Sequence, residues 1–170
     1  EVVLQGLSEI ISTEGPMTCR RAYQLYLAAC GIDRMTPQVR SVLNRALYRG
    51  VQLRILADRD EIGSEGQIDR IVRVAQGPNV IVRERGPRAL NEIPPSEIAE
   101  AMNKVALAIG KSDDKQIEQL FAKVLDLYDL ERSPESEFQN EIMQRAVSQL
   151  SSRFRAGATR SQLGLDLNTE

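Results

Sequence analysis

Arginine is the side chain with most chemistry to offer in this chain, and it is unevenly placed. All 13 basic residues among positions 1–90 are Arg, whereas all four Lys fall in the second half. A guanidinium is planar and permanently charged, and it forks onto phosphate oxygens or the O6/N7 edge of guanine. Arg40, Asn44, Arg45 and Arg49 follow Thr36-Pro37 and lie off an apolar stripe of helical spacing. Arg40 and Asn44 are i,i+4 neighbours and point the same way. Gln38 and Ser41 occupy the first turns of the same segment, where a helix entering the major groove reaches bases. The amides of that terminus also suit a phosphate. Arg54, Arg70, Arg73, Arg83 and Arg85 fall on predicted strands, where alternation brings several to one face. Arg20 and Arg21 open the preceding helix. The candidate nucleic-acid-contacting set is Gln38, Arg40, Ser41, Asn44, Arg45, Arg49, Arg54, Arg73, Arg83 and Arg85. The competing reading is ordinary solvated arginine on amphipathic surfaces. Residues 1–90 balance to only +3, with 13 Arg against 10 carboxylates, and strong DNA binders are usually more basic.

Other chemistries lack their parts. The chain has no His, which excludes Ser-His-Asp and Cys-His arrangements and the commonest zinc sets. Neither a Gly-x-x-x-x-Gly-Lys-Ser/Thr loop nor a Gly-x-Gly-x-x-Gly turn occurs. Asp58, Asp60 and Glu61 cluster in a predicted loop, and Asp113 and Asp114 at a helix start, so both groups read as solvated charge or caps rather than metal ligands. Cys19 and Cys30 lie eleven residues apart on one helical stretch, too far along the axis for a disulfide, and read as buried reduced thiols. No catalytic residue, metal or cofactor is expected.

The elements that must position the arginines are legible in the periodicity. Val3, Leu4, Leu7, Ile10 and Ile11 mark a helix over 2–13, stopped by Glu14-Gly15-Pro16. Thr18 caps a second helix to about Cys30, which Gly31 ends. Thr36-Pro37 starts a third, an N-cap followed by Pro at the first helical position; it runs to about Tyr48, and Gly50 closes it. Alternation over 51–56 then predicts a strand, with a charged loop over 58–67 and further strands near 69–76 and 79–85. Three helices followed by strands are the chain order of a winged helix-turn-helix, in which the third helix enters a groove and the hairpin flanks it. Ile93-Pro94-Pro95-Ser96-Glu97 reads as a hinge leading into a fourth helix, capped by Ser96 or opened by Pro95, running to Ile109. Ser112 or Asp113 caps a fifth through about Tyr128, and Ser133-Pro134 starts a sixth that continues to Phe154.

The second half echoes the first. Ala29-Cys30-Gly31-Ile32-Asp33-Arg34 is matched by Leu127-Tyr128-Asp129-Leu130-Glu131-Arg132. Cys19 pairs with Ile117, Ala22 with Leu120, Tyr23 with Phe121 and Leu27 with Leu125. After a one-residue slip, Val39 pairs with Phe138, Leu43 with Ile142 and Leu47 with Ala146. Two similar helical modules follow. Residues 91–170 carry 9 basic against 14 acidic residues, or −5, and Glu135, Glu137 and Glu141 line the start of the sixth helix. Such a face repels phosphate, so a protein contact or structural bracing suits the second module. The expected fold class is α+β and mostly helical: a winged helix-turn-helix over 1–90, a helical and degenerate second module over 91–155, and a mobile tail over 156–170.

With 42% hydrophobic residues, 4% aromatic and no Trp, the core must be mostly aliphatic. No apolar run approaches the ~18 residues of a membrane helix and no signal-peptide pattern is present, so the expected compartment is the cytoplasm. The chain starts on Glu1 without Met, which reads as a piece of a larger protein.

These residues resemble a family. Glu14-Gly15-Pro16, Gly31-Ile32 with Arg34, Arg40 in the next helix, Ile93-Pro94-Pro95 with Glu97, and a second helical copy ending in Arg132 look like the uncharacterised winged-helix-like domain near the C-terminus of large bacterial superfamily-one helicases, proteins that often carry an endonuclease-like domain. The resemblance covers residues 7–147. The family tends to place a His after the first Pro, where this chain has Met17-Thr18-Cys19, and a Gly soon after each Arg, where it has Met35-Thr36 and Ser133-Pro134. The Trp that the family's hairpin often carries is absent here. The resemblance implies a non-catalytic accessory domain of a DNA-processing or defence protein. DNA, duplex or forked, and the helicase or nuclease domains of the parent protein are its expected partners. The alternative is a protein-interaction or oligomerisation module of the same fold, with self-association.

Overall fold

A computed structural model of the chain describes residues 1–63, 66–109 and 117–162, with side chains to residue 150. The fold is mixed α+β and mostly helical, with six α-helices and a small three-stranded antiparallel sheet among the described residues. It divides into two compact units, Glu1–Glu97 and Ile98–Glu170, the division falling inside the fourth helix rather than at 90/91. No described helix is long and apolar enough to cross a membrane.

In the first unit, Leu4, Leu7 and Ile11 repeat at i, i+3 and i+7 and bury one face of α1 (Val2–Glu14). Gly15 is extended and Pro16 follows it, so the helix stops there. Met17–Thr18 form β1, and the Thr18 hydroxyl accepts the Arg21 N–H at 3.2 Å to cap α2 (Cys19–Ala29). Thr36 caps α3 (Pro37–Gln52) in the same way, accepting from Val39 N–H at 3.3 Å. β2 (Leu56–Arg59) and β3 (Ile71–Val74) pair antiparallel, and β1 pairs with the other edge of β3 through Met17↔Val72, giving the order β1-β3-β2. One apolar core joins the three helices and the sheet: Leu4, Leu7 and Ile11, then Cys19, Ala22, Tyr23 and Leu27, then Leu43 and Leu47, closed by Met17, Leu56 and Val72.

Two sequence expectations fail here for physical reasons. The strand over 51–56 does not form; α3 continues to Gln52, because half-buried Val51 extends the Leu43–Leu47 spacing onto the same core. Gly50 is therefore a packing residue and not a stop: a Cβ there would lie 2.7 Å from Leu4 Cδ1 and 2.9 Å from Leu56 Cδ1. The strand over 79–85 is also absent. That segment is held by side chains instead, the Arg83 guanidinium donating to the Glu14 and Pro16 carbonyls. The third strand of the sheet is β1, whose two residues are too short to carry a period.

In the second unit, α4 (Pro95–Ile109, begun in the first) is followed by α5 (Ile117–Leu127) and α6 (Glu137–Gln162). The caps expected at Ser112 or Asp113, the Asp113-Asp114 pair and residues 163–170 of the expected tail lie outside the described residues. α6 continues past Phe154 to Gln162, and it begins at Glu137, not after Ser133-Pro134. The reason is Gln139, whose amide accepts from Ser133 N–H at 2.8 Å and donates to the Glu131 carbonyl at 2.9 Å, holding 131–136 as a turn. Ser136 is the cap, accepting from Gln139 N–H at 3.3 Å.

The echo between the halves extends to hydrogen bonds. α2 ends with Gly31 N–H on the Ala28 carbonyl and Ile32 N–H on that of Leu27; α5 ends with Asp129 on Asp126 and Leu130 on Leu125. Both are Schellman caps, and the pivot is left-handed in each, φ +68° at Gly31 and +54° at Asp129. The paired residues Ala22 and Leu120, Tyr23 and Phe121, Leu27 and Leu125, Leu43 and Ile142, and Leu47 and Ala146 are all buried.

Candidate functional site

The thirteen arginines of residues 1–90 separate into two groups once their partners are traced. Eight are engaged. Arg20 pairs with Asp69 at 2.8 Å and Arg70 with Asp58 at 2.5 Å, and Arg59 pairs with Glu61. Arg21 bridges Glu14 at 2.9 Å and Glu92 at 3.5 Å. Arg73 donates to the carbonyls of Val74, Ala75 and Gly77, closing the turn after β3. Arg83 holds the α1–β1 turn, and Arg85 donates to the Arg88 carbonyl at 3.2 Å. Arg88 is buried against Glu97 through two bonds of 2.8 and 2.9 Å.

The other five, Arg34, Arg40, Arg45, Arg49 and Arg54, are exposed, and none makes an ion pair or side-chain hydrogen bond among the described residues. They are five successive arginines of the sequence, from position 34 to position 54. All lie on α3, on the turn that enters it, or on the cap that leaves it. Within residues 1–90, positive charge left without internal partners is thus confined to α3 and the residues that flank it.

Within the ten candidates, the structure brings together Gln38, Ser41, Arg45 and Arg49 on the outward face of α3. Arg40 is about 140° round the helix from Arg45 and lines an open cleft with Arg20, Gln24, Asp33 and Met35 of the α2 side. Asn44 is half-buried and accepts the Tyr23 hydroxyl at 2.8 Å, so its amide oxygen is occupied. Arg54 is not on a strand. It is the left-handed pivot, φ +56°, of a Schellman cap in which its N–H meets the Val51 carbonyl and the Ile55 N–H that of Gly50. Arg73, Arg83 and Arg85 stand apart from this group, their guanidiniums turned onto backbone carbonyls. The β2–β3 hairpin likewise has its arginines engaged, so the guanidiniums of residues 1–90 without internal partners lie on α3 and at its two ends.

In the acidic cluster Asp60 is exposed and caps a turn, whereas Asp58 and Glu61 are drawn inward. Asp58 is paired with Arg70, and Asp60 accepts from Ile62 and Gly63 N–H at 3.0 and 2.8 Å to form the turn after β2. The Glu61 side chain is fully buried and accepts Ser96 N–H at 2.8 Å, so a hairpin carboxylate caps the start of α4. The Ile93-Pro94-Pro95-Ser96-Glu97 block, expected as a hinge, is buried from Ile93 to Glu97 and tied through Ser96 and Glu97 to the first unit. Cys19 is buried, and burial, then the nearby Asp58 charge, pushes its thiol up to about 12; Cys30, expected buried, is exposed. Tyr23 is likewise pushed up, first by burial and then by Cys19. Among the described residues no three His, Cys, Asp or Glu side chains are grouped to hold a metal.

The second unit spends the equivalent charge. Arg132, the counterpart of Arg34, stacks over Phe121 at 5.4 Å and bonds Glu118 at 2.9 Å and Asn140 at 2.6 Å. Arg145 pairs with Glu141 one turn away.

Arg34 and Tyr48, exposed on the same stretch, were not among the candidates read from the sequence. Residues 34–57 contain five Arg and no Asp or Glu, a carboxylate-free window that would have marked both. No family model, curated protein or solved structure matches the chain.

Proposed function

We propose that the chain is a non-catalytic DNA-binding accessory module, of winged-helix type, that serves the helicase or nuclease domains of a DNA-processing protein. The observation that carries this reading is the carboxylate-free run of exposed, unpaired arginines along α3. A helix-turn-helix pair followed by an antiparallel hairpin supports the winged-helix assignment, with α3 as the groove-entering helix. Gln38 and Ser41 in its first turns reach base edges, Arg45 and Arg49 hold phosphates on the outward face, and Arg34, Arg40 and Arg54 extend the contact at the flanks. The hairpin braces α3 rather than touching DNA.

The test is a titration of the full chain against a labelled duplex at several salt concentrations. Affinity is expected to fall steeply with salt, and Arg45→Ala with Arg49→Ala to lower the log–log slope by about two. Arg145→Ala, on the second unit, should leave the slope unchanged. Absence of binding at low salt, or equal effects of both substitution sets, would refute the reading.

One observation favours a protein contact for the second unit. Leu127 and Phe138 are exposed beside acidic residues at the end of α5 and the start of α6, a surface suited to another protein and not to phosphate. A mass that rises with concentration in light scattering would show self-association through it.

A further inference from the structure

Tyr48 is the most exposed aromatic of the described chain, with 62% of its surface open. Tyr23, Tyr128 and Phe121 are buried, and the other exposed ring among the described residues, Phe138 at 47%, stands beside acidic residues in the second unit. On α3, Tyr48 follows Arg45 by three residues and precedes Arg49 by one. Neither arginine has an internal partner, and Gln52 is exposed one turn further on. A ring beside two unpaired guanidiniums is the pairing that holds single strands: the ring takes a base face and the cations take the phosphates on either side of it.

Position along the helix decides which bases. Tyr48 is eleven residues beyond Pro37, about 16 Å along the axis. A helix that presents its first turns to a major groove about 12 Å wide carries a residue that far along to the groove's edge. Paired bases offer no face there. Bases that have left the duplex do.

We infer that Tyr48 is a stacking platform for unpaired nucleobases, and that the preferred ligand of α3 is DNA at a junction of duplex and single strand. This rests on the DNA-binding reading above and adds the substrate class.

The probes are a blunt duplex and the same duplex carrying two oligothymidine arms, titrated against the full chain. Tyr48→Ala is expected to weaken binding to the forked probe about tenfold while leaving the blunt duplex within twofold. Tyr48→Phe should restore fork binding and Tyr48→Leu should not, since Leu keeps apolar area without a π face. Tyr48 is a surface position in a helix, so all three variants should keep the wild-type far-UV circular dichroism. Equal loss on both probes, no loss on either, or rescue by Leu would overturn the inference. A wild-type chain that binds the blunt duplex, with Arg45→Ala and Arg49→Ala weakening both probes, keeps the DNA-binding reading whatever Tyr48 does. A wild-type chain that binds neither probe removes both.

Discussion

Replacing Glu97 by Gln should cost the first unit about as much as any single substitution in it. The Glu97 side chain is 2% exposed and that of Arg88 5%. Both carboxylate oxygens are taken by Arg88, at 2.8 and 2.9 Å, and one also accepts Arg83 N–H at 3.2 Å. Gln keeps the shape but loses the charge, and it turns an amide N–H₂ toward a guanidinium that can only donate. Removing one partner of a buried pair leaves the other uncompensated, at about 3–5 kcal/mol. With a urea dependence near 2 kcal/mol/M, the midpoint should fall by about 2 M. The assay is urea unfolding of the full chain in a Cys30→Ser background. Labelling of Cys19, which is buried in the first unit, then reports that unit alone. Replacing both members, Glu97→Leu with Arg88→Met, should recover most of the loss, because apolar residues of similar volume often match a buried pair. A loss below about 1 kcal/mol for the single variant, or a double variant no better than the worse single, would refute the claim that the pair is held by mutual compensation.

The remaining expectations concern backbone pivots and protons. Arg54→Gly should stabilise the chain by up to about 1 kcal/mol, since φ +56° suits Gly. The same change should lower the salt slope of DNA binding by about one, and a variant both more stable and equally tight would count against Arg54 as a phosphate contact. Gly31→Ala and Asp129→Gly, at equivalent pivots, should move stability in opposite directions, the first losing about 1 kcal/mol and the second gaining less; thermal melts of both would expose a shift of the same sign. The folded state keeps Cys19 neutral to about 12, whereas an unfolded thiol ionises at about 8.5. Its contribution is therefore complete below about pH 8.5 and is lost as pH rises toward 12. Stability measured from pH 8 to 11 should decline, and Cys19→Ala should flatten the decline; an unchanged slope would assign it to other groups, Tyr23 first.

The helices were legible in the sequence wherever a cap coincided with a period. Thr18 and Thr36-Pro37 mark the starts of α2 and α3, and Gly31 the end of α2, because capping is decided within a few residues of chain. The pairing of the two halves was legible in part: five of the seven matched pairs are buried in both copies, while Ile117 is half-buried and Phe138 exposed, because spacing marks an apolar face but not how completely neighbours cover it. α3's outward arginines could be counted, and the absence of Asp and Glu from 34–57 marks them as a group. What the tertiary structure decided was which arginines are free. Arg73, Arg83 and Arg85 look like Arg45 and Arg49 in composition and even in alternation. They differ only in meeting carbonyls or being folded into a turn, contacts that for Arg83 join residues 69 and 67 positions apart. The same holds for the strands: β1 is two residues long and exists because β3 lies beside it, while 79–85 has the right composition and no neighbour to pair with. Local rules specify what a segment can be; a guanidinium's availability depends on where the distant carbonyls and carboxylates come to rest, and only folding brings those together.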